Sequence, residues 1–194
     1  MNIKLIPVIE NYKNDFGIEP YRKELPFYPI HHIPHEHLHR LLKEKIELLD
    51  EHEALADENG VDISFYGGYI LNIDGYDKFY PQCCSSLSDI LFWKNLSNQG
   101  DTFIEGHPKP IISYKNEIII FEIKNDNSED FYPPMENQKI FIDIEDLKQA
   151  IHHVVIELQA FERKLEWLNE KYNYKIKNIG DKLIWHNFNS TTSI

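Results

Sequence analysis

A chain of 194 residues, 42 % hydrophobic and 27 % charged, is large enough to bury a core without a metal or disulfide staple. Its 32 Asp and Glu against 20 Lys and Arg leave a net charge of −12, which disfavours nucleic acid as a direct ligand because phosphate binding needs concentrated cations. No stretch reaches the roughly 18 uncharged apolar residues of a membrane span, and the two cysteines are neighbours, so neither a membrane segment nor a disulfide framework is expected.

One domain over residues 1–194 is the expectation. The opening run Met1–Glu10 carries one Lys and is broken by Pro7. That is too short for the apolar core of a signal peptide and lacks a small-residue cleavage site, so a cytoplasmic protein is expected. Residues 1–34 hold Pro7, Pro20, Pro26, Pro29 and Pro34 among aromatics, and read as an extended arm packed on the core. From His35 to about Glu58 the pattern is helical, with Pro34 suited to the first turn and Gly60 to the stop.

The period then changes. Val61–Tyr66 and Tyr69–Ile73 read as strands joined through a bend at Gly67-Gly68, and Asp74-Gly75 is a strong hairpin signal. Ser86-Leu87-Ser88-Asp89 has the spacing of a capping box opening a short helix. Thr102–Glu105, Ile111–Tyr114, Ile118–Ile123 and Lys139–Ile142 read as further strands, with a polar loop over Asn125–Gln138. Last, Ile144, Leu147, Ile151, Val154, Leu158, Phe161, Leu165, Leu168 and Tyr172 recur at spacings of three and four behind a natural N-cap, Asp143. A helix of about thirty residues is a rod of roughly 45 Å, which must cross the domain or project from it. Burial of its seam within the chain is expected ahead of a coiled-coil dimer, so a monomer is favoured. The expected fold is α+β: a mainly antiparallel sheet from about residues 61–142, covered by helices at about 35–58 and 143–172.

Two constellations have the residue types for chemistry. His31, His32, His35, His37 and His39 crowd the start of the first helix, and His35-Glu36-His37-Leu38-His39 fits the spacing of a zinc hydrolase helix. The residues after His39, however, form an ordinary amphipathic surface helix rather than the wall of a cleft, so His35 and His39 are weak metal candidates. The adjacent Cys83-Cys84 pair is compatible with buried packing, with a thiol switch near the following helix, or with a metal corner completed by His107; packing is expected, with at least one thiol buried. Gly106-His107-Pro108 reads as a rigid turn. Gly67-Gly68 lacks the Lys-Ser/Thr and the strand–helix context of a phosphate loop, and no cofactor is expected.

The run Tyr66-Gly67-Gly68-Tyr69-Ile70-Leu71, then Phe79-Tyr80-Pro81-Gln82-Cys83-Cys84, Leu87-Ser88-Asp89-Ile90, Trp93-Lys94 and Gly106-His107-Pro108, resembles a group of uncharacterised small acidic bacterial proteins. The likeness covers mainly residues 61–123, and Ser85-Ser86 departs from the Gly-Asp of that pattern. Adjacent cysteines, a lone Trp and a His-Pro turn are costly choices for filler, so Tyr80, Gln82, Cys83, Cys84, Trp93 and His107 are the candidate binding residues. By type, such proteins are similar to the immunity or partner proteins of bacterial conflict systems. The charge allows the same reading: Lys43–Glu58 and Glu122–Asp146 hold −5 and −6 of the −12, which is first of all the solvation of helix and loop surfaces and otherwise a face for a basic protein partner. With no catalytic set beyond the histidines, a non-enzymatic binding protein is expected, and a metal-dependent hydrolase using His35, Glu36 and His39 is the alternative.

Overall fold

The first strand comes from the first segment of the chain. In the computed structural model, which describes residues 1–13, 17–53, 65–100, 103–104, 106–125 and 130–185, β1 (Ile3–Glu10) lies between β2 (Phe27–Pro29) and β3 (Gly67–Ile73), and β4 (Tyr76–Phe79) extends β3. All three pairings are antiparallel. Ile3–Glu10 is therefore an interior strand, which corrects the reading of residues 1–34 as an arm. Pro7 is tolerated there because its nitrogen faces the β2 side just past the end of β2. Only its carbonyl is used there, accepting from the Ile30 amide at 3.1 Å, so no ladder donor is missing. Ile3, Leu5 and Ile9 face the main core, while Val8 and Ile6 face a smaller cluster with Phe27 and Ile70. Tyr21 and Leu25 pack over that second face, so only this later part of the segment lies over the sheet.

The Asp74-Gly75 turn forms as expected, both residues having positive φ (52° and 87°). Gly67 is buried within β3 at φ +137°, and a side chain there would collide with the Val8 carbonyl. Its role is thus close approach to β1 rather than a bend between strands. A second antiparallel sheet runs in the order β5 (Ile111–Lys115), β6 (Ile118–Ile123), β7 (Gln138–Asp143). Phe103 and Ile104 belong to no strand, whereas Thr102 and Glu105, like 61–64 and 54–58, lie outside the described residues.

The helices are α1 (His35–Glu53), α2 (Ile90–Ser97) and α3 (Ile144–Lys171). Asp143 caps α3, its Oδ1 accepting from the Asp146 amide at 3.1 Å. The seam of α3, from Ile144 and Leu147 through Leu158 and Phe161 to Leu168, is buried, and it packs on β1, α2 and α1. One core joins both sheets to α3, with Phe65 and Phe161 at 6.0 Å between ring centroids. A final helical turn, Asp181–Trp185, adds Leu183, Ile184 and Trp185 to that core. The chain is thus α+β, with two antiparallel sheets in place of the single sheet expected. Among the described residues no helix is long and apolar enough to cross a membrane.

Candidate functional site

Beyond β4 the chain makes a tight turn whose tip is Cys83-Cys84. The Ser85 amide donates to the Gln82 carbonyl at 3.0 Å, and the Gln82 amide donates to Ser85 Oγ at 3.2 Å. Gln82 and Ser85 are buried beneath the tip, while both cysteines are exposed. That overturns the expectation that at least one thiol packs into the core. The physical reason is the turn itself: its backbone is satisfied from below by Gln82 and Ser85, so the two residues at its apex project outward.

Cys84 is left-handed, at φ +69°. Successive side chains of an extended pair point to opposite sides, and the left-handed residue undoes that alternation. The two Sγ atoms consequently stand 3.6 Å apart, too far for a disulfide bond and close enough for contact. His107 arrives on a second loop. Its amide donates to the Cys83 carbonyl at 3.0 Å, pairing the two residues as an isolated antiparallel bridge, and its Nε2 lies 3.7 Å from Cys84 Sγ. Gly106 permits this approach, since any side chain there would run into Ser85 Oγ. Among the described residues, Cys83, Cys84 and His107 are the one group of three or more His, Cys, Asp and Glu whose ligand atoms gather, all within 4.8 Å. Such a corner can ligate a soft metal ion or undergo thiol oxidation.

The other expected binding residues have different places. Trp93 is 1 % exposed and stacks on Phe121 at 6.0 Å, joining α2 to β6; it is core and not surface, a correction. Gln82 Nε2 donates to the carbonyls of Tyr80 and Tyr132, both at 2.8 Å, and its Oε1 accepts from the Tyr132 amide at 2.9 Å. Every polar atom of that amide is engaged, and its work is to tie the 130–137 loop to the turn. Tyr80 donates to Asp77 Oδ2 at 2.9 Å. Asp77 also accepts from Asn72 (2.7 Å), Tyr21 (2.8 Å) and Arg22 Nε (2.9 Å). Burial by itself would raise the Asp77 carboxyl, but these bonds outweigh it and hold it below the usual carboxylate range.

The histidine cluster is dispersed into aromatic packing. His35 meets Trp167 edge-on at 4.9 Å. His39 stacks on Tyr172 at 3.7 Å, and its Nδ1 shares a 2.6 Å hydrogen bond with the Tyr174 hydroxyl. That hydrogen bond engages Nδ1, so this nitrogen is not open to a metal. Glu36 sits by His37 at 3.2 Å.

Of the exposed aromatic side chains near the corner, sequence reasoning marked Tyr12 as resembling an interface residue and Tyr66 as part of a motif, and missed Phe103 and Tyr132. Tyr12, Tyr66, Phe103 and Tyr132 are 71 %, 54 %, 65 % and 42 % exposed. Tyr66 pairs with Ser86, Tyr132 is bound to Gln82, and Phe103 lies under the Lys109 ammonium at 4.6 Å. Although the Tyr12 side chain is largely exposed, partial desolvation of its hydroxyl raises it above the usual phenol range, helped by its 2.6 Å bond to Glu10, with Tyr132 and Cys83 near enough to add to it. No pattern at fixed spacing links residues 12, 66, 83, 103, 107 and 132; only the fold assembles them.

Fold and site together define an α+β protein with an exposed thiol–imidazole corner and exposed aromatic side chains on the segments beside it. Comparison with protein-family models, curated proteins and solved structures finds no match.

Proposed function

We propose that the protein is a non-enzymatic binding protein, of the immunity or partner type, that docks a basic protein through the aromatic surface around the 82–86 turn. The observation that carries this reading is that Tyr66, Phe103 and Tyr132 are exposed on segments that contact that turn or its neighbouring loop, with the exposed Tyr12 near enough to Tyr132 and Cys83 to feel their charge. Tyrosine and phenylalanine supply large contact area at low entropic cost, which is why they anchor protein interfaces. The net charge of −12 supplies steering toward a cationic partner and repels nucleic acid. The protein acts as a monomer in the cytoplasm in this reading, and neither a nucleic acid nor a membrane is its ligand.

Affinity capture from the source cell, with wild type and a Tyr12→Ala/Tyr66→Ala/Phe103→Ala variant, tests it. The expected result is a stoichiometric basic protein whose binding weakens at least about tenfold both in the variant and between about 50 mM and about 500 mM salt. A partner retained equally under all four conditions, or none at low salt, overturns the reading.

A further inference from the structure

We infer that Cys83, Cys84 and His107 form a binding site for a thiophilic d10 metal ion, Zn2+ foremost. The inference is independent of the proposed partner binding. Geometry carries it. A tetrahedral Zn2+ with bonds of about 2.3 Å to sulfur and about 2.0 Å to nitrogen has sulfur–sulfur edges of roughly 3.8 Å and sulfur–nitrogen edges of roughly 3.5 Å. Cys83 Sγ and Cys84 Sγ are 3.6 Å apart, and Cys84 Sγ and His107 Nε2 are 3.7 Å apart. Two edges of the coordination figure are thus already in place. The third closes with a small side-chain rotation at the exposed tip, since all three ligand atoms lie within 4.8 Å.

The corner is built by the fold rather than met by chance. A left-handed, non-glycine Cys84 brings the second thiol to the side of the first, a conformation that costs energy and that simple packing of two exposed side chains does not require. The 106–108 loop is fixed against the turn by the His107–Cys83 backbone bond and by the bare Gly106. The donor set of two thiolates and one imidazole selects Zn2+ or Cu+ over hard cations such as Mg2+ and Ca2+. Binding takes both sulfurs as thiolates and releases their protons to solvent. Three protein ligands leave one tetrahedral position for water or another exogenous ligand, as in sites that do more than staple a fold.

The test uses the full chain, reduced and freed of metal by chelation, titrated with Co2+ as a spectroscopic stand-in and then with Zn2+. The expected result is about one Co2+ per chain with a thiolate-to-cobalt charge-transfer band and intense visible bands of tetrahedral Co2+, both abolished by Zn2+. Cys83→Ser and Cys84→Ser should each remove most of the charge-transfer intensity. His107→Asn should weaken binding by at least the roughly tenfold that even an outer-sphere partner is worth, and His35→Asn should change nothing. A second measurement needs no variant: Zn2+ should protect both thiols of the wild type from alkylation. Weak octahedral cobalt spectra, binding indifferent to the cysteine variants, or thiols that alkylate equally fast with and without Zn2+ overturn the inference. So does a reduced chain that binds no metal and, on exposure to air, gives up two electrons and two protons to dioxygen to form a Cys83–Cys84 disulfide.

Discussion

Asp77 is where a single residue carries most of its neighbourhood. Its side chain is 4 % exposed, and it gathers Asn72 from β3, Tyr21 and Arg22 from the segment over the outer face of the first sheet, and Tyr80 from the start of the turn. Asp77→Asn removes the charge that all four donors address and leaves part of them unpaired. A loss of about 2 kcal/mol at neutral pH is expected in denaturant titration. The folded carboxyl titrates below its unfolded value, so the stabilisation is fully present above about pH 4 and is lost as pH falls through the folded pKa. Wild type and variant should therefore converge in acid. A gap that stays constant down to strongly acidic pH, or no gap at neutrality, contradicts this role. Tyr80 belongs to the same knot, which explains its prominence in the sequence without a ligand.

At the scale of elements, α3 holds the molecule together, because its buried seam meets β1, α1 and α2 at once. Leu158 is fully buried in the middle of it. Leu158→Asp places an unpaired carboxylate there, a cost of several kcal/mol against the marginal stability of an ordinary domain, and the cooperative transition in circular dichroism should disappear. A folded variant with an unchanged transition contradicts the placement of the seam in the core. This helix was legible because its period, its length and the Asp143 cap all lie within one continuous stretch. The Asp74-Gly75 hairpin was legible for the same reason. β1 was not: Pro7 reads locally as a strand breaker, and what makes it harmless is the end of β2 at Pro29, far along the chain. The Asp181–Trp185 turn was likewise hidden, since a lone apolar triplet has no period and its partner Phe65 lies far upstream.

At the scale of the whole molecule, the surface around the corner is made from segments spread over residues 12 to 132, and its chemistry exists only when they meet. Cys83, Cys84 and His107 were each visible as residue types. A metal corner completed by His107 is one reading the sequence allows for the pair, behind packing; what decides for convergence, a left-handed Cys84 and a loop 23 residues downstream, lies outside composition and spacing. The sequence reading accordingly placed a thiol in the core, and it grouped Trp93 with the ligand-facing residues although it packs on Phe121. The central claim is that folding delivers both thiols to the surface at one preassembled corner. Titration of the native, reduced, metal-free chain with an aromatic disulfide reagent tests this most directly. Both Cys83 and Cys84 should react rapidly without denaturant, and adding denaturant should reveal no further thiol. A thiol that reacts only after unfolding would place it in the core and contradict the account.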